Sequence, residues 1–291
     1  MPQPVAAIDI GTNTVRLLIS DGRSDLERMT AVVGLGRGLA RTGHLDPEGR
    51  HRAMTVLGRY ADAIDQHGAA PVRAVATSAS REASDASDFL DEVAGILGTA
   101  PEVISGDAEA ALSYAGATSD LGEGAWTVVD IGGGSTEVIT AEAGRSFDVG
   151  SVRITDTYLD EDRSGASVER ALRWAASMLE QVPGQSDRVV GVAGTWTSLA
   201  AMEQELEPYD PARVHHYSLT REAVRRWRDR LAGLTVAETE TLTGLDPNRA
   251  PVILGGAIVA EAVMEHLGAG VTLVSERDLL DGIVAGLLER N

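Results

Sequence analysis

The chain has 291 residues, of which 43% are hydrophobic and 24% charged, and its net charge is −19. That is a globular composition with room for two ordinary domains, and its acidity argues against broad binding to nucleic acid or to an anionic membrane. There is no cysteine and all 25 basic residues are arginine, which excludes disulfides, thiolate metal sites, cysteine nucleophiles, Schiff bases and a phosphate-loop lysine.

In chain order, Val5–Ile8, Val15–Ser20 and Arg28–Val33 read as three consecutive strands separated by turn residues. The segment from Asp46 to His67 reads as a helix, opened by Leu45 and Pro47 and closed by Gly68. A strand is expected over Val72–Ala76, a helix over 81–97 and a short strand over 102–104. A short helix over 108–116 follows, capped by Ser105 or Asp107. The pattern then restarts. Residues 126–129, 136–140 and 145–149 are again three strands, followed by helices over 168–180, 221–231 and 247–267. Strands Val189–Val192 and Val271–Val274 lie among these helices, and a last amphipathic helix over 278–289 closes the chain. The restart is an internal repeat. Its boundary is expected in the polar stretch Ser119–Gly124, giving domains 1–120 and 121–291, with the last helix able to pack back on the first domain.

No signal peptide is expected: the stretch from Met1 to Pro4 lacks a basic region, and Asp9 interrupts the apolar run after it. The apolar stretch from Pro251 to Val274 carries Glu261, Glu265 and His266, which makes it a poor membrane span. A cytoplasmic protein is the expectation.

Two near-copies of one motif carry the chemistry: Ala7-Ile8-Asp9-Ile10-Gly11-Thr12-Asn13-Thr14 and Val128-Val129-Asp130-Ile131-Gly132-Gly133-Gly134-Ser135-Thr136. Each is an apolar strand ending in Asp, then Gly and small hydroxyl residues, then another strand. Glycine in such a turn lets backbone N–H groups face an anion, hydroxyls add donors, and the Asp can hold a divalent cation through water. Thr12, Asn13, Thr14, Gly132, Gly133, Gly134 and Ser135 are therefore candidate phosphate ligands, expected to grip one phosphorylated group from both sides.

Three strands followed by helix, strand and helix in each half is not the simple alternation of a dinucleotide fold. This α/β order, with an Asp-Gly hairpin in each half, resembles the actin-like ATPase (ribonuclease H-like) fold. That resemblance implies two related domains around a central cleft, with phosphates between the hairpins. Five segments sharpen it: Asp9–Leu18, Ala76–Ala83, Ile104–Ala110, Asp130–Glu137 and Gly191–Ala200. In that order and spacing they resemble the exopolyphosphatase / guanosine pentaphosphate phosphohydrolase (Ppx/GppA) family, in its short two-domain type, over essentially the whole chain.

The resemblance implies a hydrolase that removes the terminal phosphoryl group of inorganic polyphosphate, with Mg2+ as cofactor. It makes Glu109 the residue that activates water, with Arg81 as the cationic phosphate clamp and Asp130 and Glu137 completing the catalytic set. Asp9, Asp130 and Glu137 would surround the magnesium, directly or through water. Members usually carry a glutamate at Ala108 and an arginine at Leu280. Together with the charge of −19, the missing arginine points to short polyphosphate or a nucleotide rather than very long chains. The alternative reading is a guanosine pentaphosphate phosphohydrolase or a sensor of guanosine polyphosphates; a small-molecule kinase or ATPase of the same superfamily is a third. Family members often form homodimers, and neither nucleic acid nor membrane is an expected partner.

Other features have plainer readings. Arg16 also falls inside a family motif, although strand alternation could bury it or point it away, and Arg37 or Arg41 of the glycine-rich loop at 34–38 could draw in a polyanion. Gly194-Thr195-Trp196-Thr197 lies where actin-like proteins approach a nucleoside. The arginines over 221–230 read as a solvated helix face, and His215-His216 as a pair with no companion ligand nearby.

Overall fold

A computed structural model describes residues 3–160, 162–180 and 184–290. The first segment runs β1 (Val5–Ile10), β2 (Thr14–Ser20), β3 (Asp25–Val32), α1 (Leu39–Thr42), α2 (Pro47–His67), β4 (Val72–Ala76), α3 (Ser78–Glu82), α4 (Ala86–Leu97), β5 (Glu102–Val103) and α5 (Gly106–Thr118). The second opens with β6 (Thr127–Ile131), β7 (Thr136–Ile139), β8 (Gly144–Phe147) and α6 (Ser151–Ile154), which runs into a π-helical turn, Thr155–Leu159. It continues with α7 (Gly165–Leu179), β9 (Val189–Val192), α8 (Gly194–Glu203), α9 (Pro211–Val214), β10 (Ser218–Thr220), α10 (Arg221–Ala232), α11 (Val236–Thr239), α12 (Ile253–His266) and β11 (Val271–Val274). The last helix is α13 (Leu279–Leu288).

The chain divides into two compact units. One comprises the chain up to Ser119 together with the segment from Arg277 onward, and the other is Asp120–Glu276, so α13 belongs to the first unit. Among the described residues the first unit has a sheet in the order β3-β2-β1-β4-β5, and the second a sheet in the order β10-β11-β9-β6-β7-β8. In both, the first three strands form an antiparallel meander, and its first strand then pairs in parallel with a strand reached through helices: β1 with β4, and β6 with β9. The repetition of that topology is the actin-like, ribonuclease H-like α/β fold.

In the first unit β1 is buried on both faces, as a sheet covered by helices on each side requires. Ala6, Ile8 and Ile10 pack with Leu57, Tyr60 and Ile64 of α2, while Val5 and Ala7 pack with Leu279, Leu280 and Ile283 of α13. Leu280, where the family resemblance led to an expected arginine, is therefore a core residue, 1% exposed. Helices α5 and α13 touch through glycine. A Cβ on Gly116 would stand 1.8 Å from Asp278 O, and one on Gly282 would stand 2.1 Å from Leu112 O. Only hydrogen at these two positions allows the backbones to approach so closely. The second unit is built around a separate core that includes Trp196, Leu254, Ile258 and Val259.

Two expected helices are divided. The span 81–97 is α3 and α4, because Ala83 is extended (φ −72°, ψ 133°) and the Asp85 carboxylate is drawn to Leu45 N–H at 3.0 Å. The span 247–267 is a 3-10 turn, Pro247–Arg249, followed by α12, consistent with Pro251 lacking an N–H for helix bonding. Helix α5 starts earlier than the sequence suggests, at Gly106, with the Ser105 hydroxyl accepting from Ala108 N–H at 3.2 Å. No helix among the described residues is long and apolar enough to cross a membrane.

Candidate active site

Each unit carries the same turn between its first two strands. In the first, Gly11 N–H donates to Thr14 O at 2.9 Å; in the second, Gly132 N–H donates to Ser135 O at 3.0 Å. The carbonyls of both turns are taken up by the protein. Asn13 O accepts from the N–H groups of Val33 and Gly34 at 2.8 and 2.9 Å, and Thr12 O from Gly36 N–H at 2.7 Å. Gly132 O accepts from Ser151 N–H at 3.0 Å, and Gly133 O from Val152 and Arg153 N–H at 2.8 and 3.1 Å. Arg153 Nε donates to Gly134 O at 2.9 Å. The N–H groups of Thr12, Asn13, Gly133 and Gly134 have no protein acceptor among the described residues. A turn whose carbonyls are satisfied and whose amides are not is suited to an anion. The glycine-rich loop at 34–38 is thus a support for the first turn. Gly150 plays that part for the second, where a Cβ would lie 2.5 Å from Gly133 O.

The hydroxyls divide into two kinds. Thr12 is 6% exposed and its Oγ1 accepts from Ala79 N–H at 3.2 Å, so it also ties the turn to α3. Ser135 is buried, whereas Asn13 and Thr14 are half-buried.

The three candidate metal carboxylates are all buried. Asp9 Oδ2 accepts from Arg16 Nη2 at 2.7 Å and Nε at 3.0 Å, while Oδ1 is buried with no hydrogen-bond partner. Burial pushes the Asp9 carboxyl above the usual carboxylate range, and the Arg16 charge opposes that shift. Arg16 Nη1 is in turn bonded to Asp278 Oδ2. Arg16 is therefore a tie between β2, β1 and the start of α13. Asp130 and Glu137 belong to the second unit and stand directly opposite each other across the β6–β7 pair. Residues so paired project from one face of the sheet. Ser146 Oγ donates to Glu137 Oε1 at 2.6 Å. The orphaned Asp9 Oδ1 of the first unit and the two facing carboxylates of the second are each oxygen donors of the type Mg2+ takes.

Glu109 lies in the first turn of α5, where the helix N-terminus favours a carboxylate. It is 8% exposed, and its Oε2 accepts from Arg81 Nη1 at 2.8 Å. The same Nη1 donates to Ile104 O at 2.9 Å. Arg81 and Glu109 are thus brought together, and the expected phosphate clamp also holds the expected water-activating group.

Other readings change with the structure. Trp196 is 0% exposed, in the core of the second unit, so it offers no stacking face to a nucleoside. Arg225, Arg226 and Arg228 of α10 form ion pairs with Glu261, Glu203 and Glu261 respectively rather than a purely solvated face. The pair His215-His216 does have a companion: Asp120 Oδ2 is 2.9 Å from His215 Nε2. Two residues escaped the sequence reading: Arg153, which grips the second turn, and Asp278, which grips Arg16. The spacing of Asp278 and Asp281 is a legible capping pattern, and both bonds of that box are present. Nothing local in the sequence marks Arg153.

Residues 19–291 match the profile of the Ppx/GppA phosphatase family. Exopolyphosphatase 2 of Mycobacterium tuberculosis is 39% identical, over 97% of this chain and 98% of that protein. Among solved structures, the Aquifex aeolicus Ppx/GppA family member superposes with a TM-score of 0.81 at 33% identity, covering 99% of both chains. An exopolyphosphatase from Cytophaga hutchinsonii superposes with a TM-score of 0.87 at 26% identity, covering 99% of this chain and 98% of that one.

Proposed function

The chain belongs to the Ppx/GppA phosphatase family, and from that premise we propose that it is an exopolyphosphatase acting on the terminal phosphoanhydride of inorganic polyphosphate. The observation that carries the reading is the buried Glu109 carboxylate held on Arg81 at the N-terminal turn of α5. In this role Glu109 orients a water and accepts its proton while the water oxygen bonds to the terminal phosphorus. The bond from that phosphorus to the bridging oxygen breaks, and the shortened chain leaves with the electron pair. Arg81 fixes the Glu109 carboxylate through one nitrogen, and its remaining donors are suited to phosphoryl oxygens.

The turn amides of Thr12 and Asn13, and of Gly133 and Gly134, are the phosphate cradles, assisted by the hydroxyls of Thr14 and Ser135. Asp9, Asp130 and Glu137 are the candidate holders of Mg2+, which when bound would offset charge on the phosphoryl oxygens. Arg16 and Asp278 are positioning residues: they commit Asp9 Oδ2 and leave Oδ1 as the atom available to a cation or its water.

Two features support a short polyphosphate over a long chain or a guanosine compound. Arg50, Arg52, Arg225, Arg226 and Arg228 are all in ion pairs with acidic groups of this same chain, and the net charge is strongly negative. The buried Trp196 supplies no base-stacking surface. The test is phosphate release from short and long polyphosphate, ATP and guanosine pentaphosphate, with and without Mg2+, beside Glu109→Ala. The reading expects release from polyphosphate that needs Mg2+ and vanishes in the variant. Undiminished release by Glu109→Ala would refute the catalytic assignment, and release from guanosine pentaphosphate alone would refute the substrate.

A further inference from the structure

Asp120, His215 and His216 converge in the second unit, and none of them has a part in the chemistry proposed above. Each can offer one ligand atom, and these atoms all lie within 4.8 Å of one another. His215 Nε2 is 2.9 Å from Asp120 Oδ2, and His216 Nε2 is 3.7 Å from Asp120 Oδ1. Ligand atoms around a tetrahedral ion at 2.0–2.1 Å stand about 3.4 Å apart, so the present spacing brackets the required one. The backbone is bent to produce this arrangement. His216 has φ +63°, in the left-handed region that costs a non-glycine residue energy, whereas consecutive side chains of an extended segment point to opposite sides. Here the two rings stack instead, with centroids 3.8 Å apart and planes at 27°.

We propose that Asp120, His215 and His216 form a binding site for a borderline divalent transition ion of the Zn2+ class, with water completing the coordination. Two imidazoles and one carboxylate favour such an ion over Mg2+, which prefers oxygen throughout. The site is open to solvent: the His216 side chain is 40% exposed and that of Asp120 26%.

The proton on His215 gives the binding a structural consequence. Its Nδ1 accepts from Glu276 N–H at 3.1 Å, so the neutral ring carries its proton on Nε2, facing Asp120. Ligation through Nε2 moves that proton to Nδ1, and the Glu276 N–H must then be released. One backbone hydrogen bond is a small cost beside the free energy of a three-ligand zinc site, so ligation prevails. Asp120 and Glu276 are the first and last residues of the second unit. Metal capture therefore alters the hold of His215 on both points where the chain enters and leaves that unit.

The experiment is calorimetric titration of the full chain with ZnCl2 in saturating MgCl2, alongside the absorption spectrum of the Co2+-loaded wild type. One Zn2+ per chain is expected, at least tenfold weaker in His216→Ala and in Asp120→Asn and unchanged in His44→Ala. The Glu276 amide resonance should shift on loading. A variant that misfolds by circular dichroism is set aside, and the wild-type Co2+ spectrum then decides. A four- or five-coordinate band with nitrogen ligation supports the site, and the spectrum of aqueous Co2+ overturns it. Absence of saturable Zn2+ binding, or wild-type affinity in folded His216→Ala and Asp120→Asn, also overturns it.

Discussion

Asp130 and Glu137 face each other across the β6–β7 pair, and the equivalent position opposite Asp9 in the β1–β2 pair is taken by Arg16. The two hairpins are alike in strand register and turn, and differ in charge. The first neutralises its carboxylate with its own arginine. The second sets two buried carboxylates side by side, and Glu137 also accepts from Ser146 Oγ at 2.6 Å.

That difference makes Glu137→Gln informative. Without Mg2+ the variant is expected to be close to the parent in stability, because the amide oxygen can still accept from Ser146 Oγ. With Mg2+ it should lose most of the rise in melting temperature shown by the parent. Thermal melts at zero and millimolar Mg2+ measure both. A full Mg2+ response in the variant would remove Glu137 from the metal set.

Glu109→Gln preserves the shape of the side chain and an acceptor for Arg81 Nη1, but not the base. Turnover should fall about 10²–10⁴-fold, the range typical of a lost general base, while the melting temperature stays close to that of the parent. Phosphate release and a melting curve on the same preparation separate this from a folding defect. A fall of less than about tenfold would mean that Glu109 is not the base.

Gly116→Ala and Gly282→Ala each place a methyl group against backbone at the α5–α13 contact. Each should destabilise the protein by about 1–3 kcal/mol or more, since backbone cannot step aside as a flexible side chain does. Because α5 carries Glu109, Gly116→Ala should also lower turnover at temperatures where the protein remains folded. Urea denaturation and initial rates test the two parts.

Tyr60 gives an alkaline signature. Its hydroxyl donates to Val15 O at 2.9 Å, and burial pushes its pKa up to about 12 from an ordinary value of about 10. Between those values the unfolded chain loses this proton while the folded one keeps it. Stability from this group is therefore intact below about pH 10 and falls as pH rises to about 12, by about 3 kcal/mol in total. Tyr60→Phe should cost about 1 kcal/mol near neutrality through the lost hydrogen bond and should flatten the decline above pH 10. Denaturant melts at several pH values between 8 and 11 would show it; equal slopes in parent and variant would refute the assignment.

The sequence by itself determined the elements and the repeat. Strand alternation, turn residues and helix caps are encoded within a few residues, so the two Asp-Gly hairpins, the strands β4 and β9 and a cap at Ser105 or Asp107 could be read directly. The family motifs then pointed to the residues of both turns and to Glu109. Only the tertiary structure decided which of these groups meet. Arg16 and Asp278 are 262 positions apart in the chain, and Asp120 and His215 are 95 apart. Gly116 and Gly282 matter only because two helices pack backbone to backbone, and Leu280 is apolar because that packing buries it. The segment 194–197 was expected near a nucleoside, and its Trp196 is core, since the side to which a helix presents a residue depends on what packs against it. Local chemistry fixes φ, ψ and period, whereas contacts over such separations are set by how sheets and helices stack, which no short stretch of one sequence encodes.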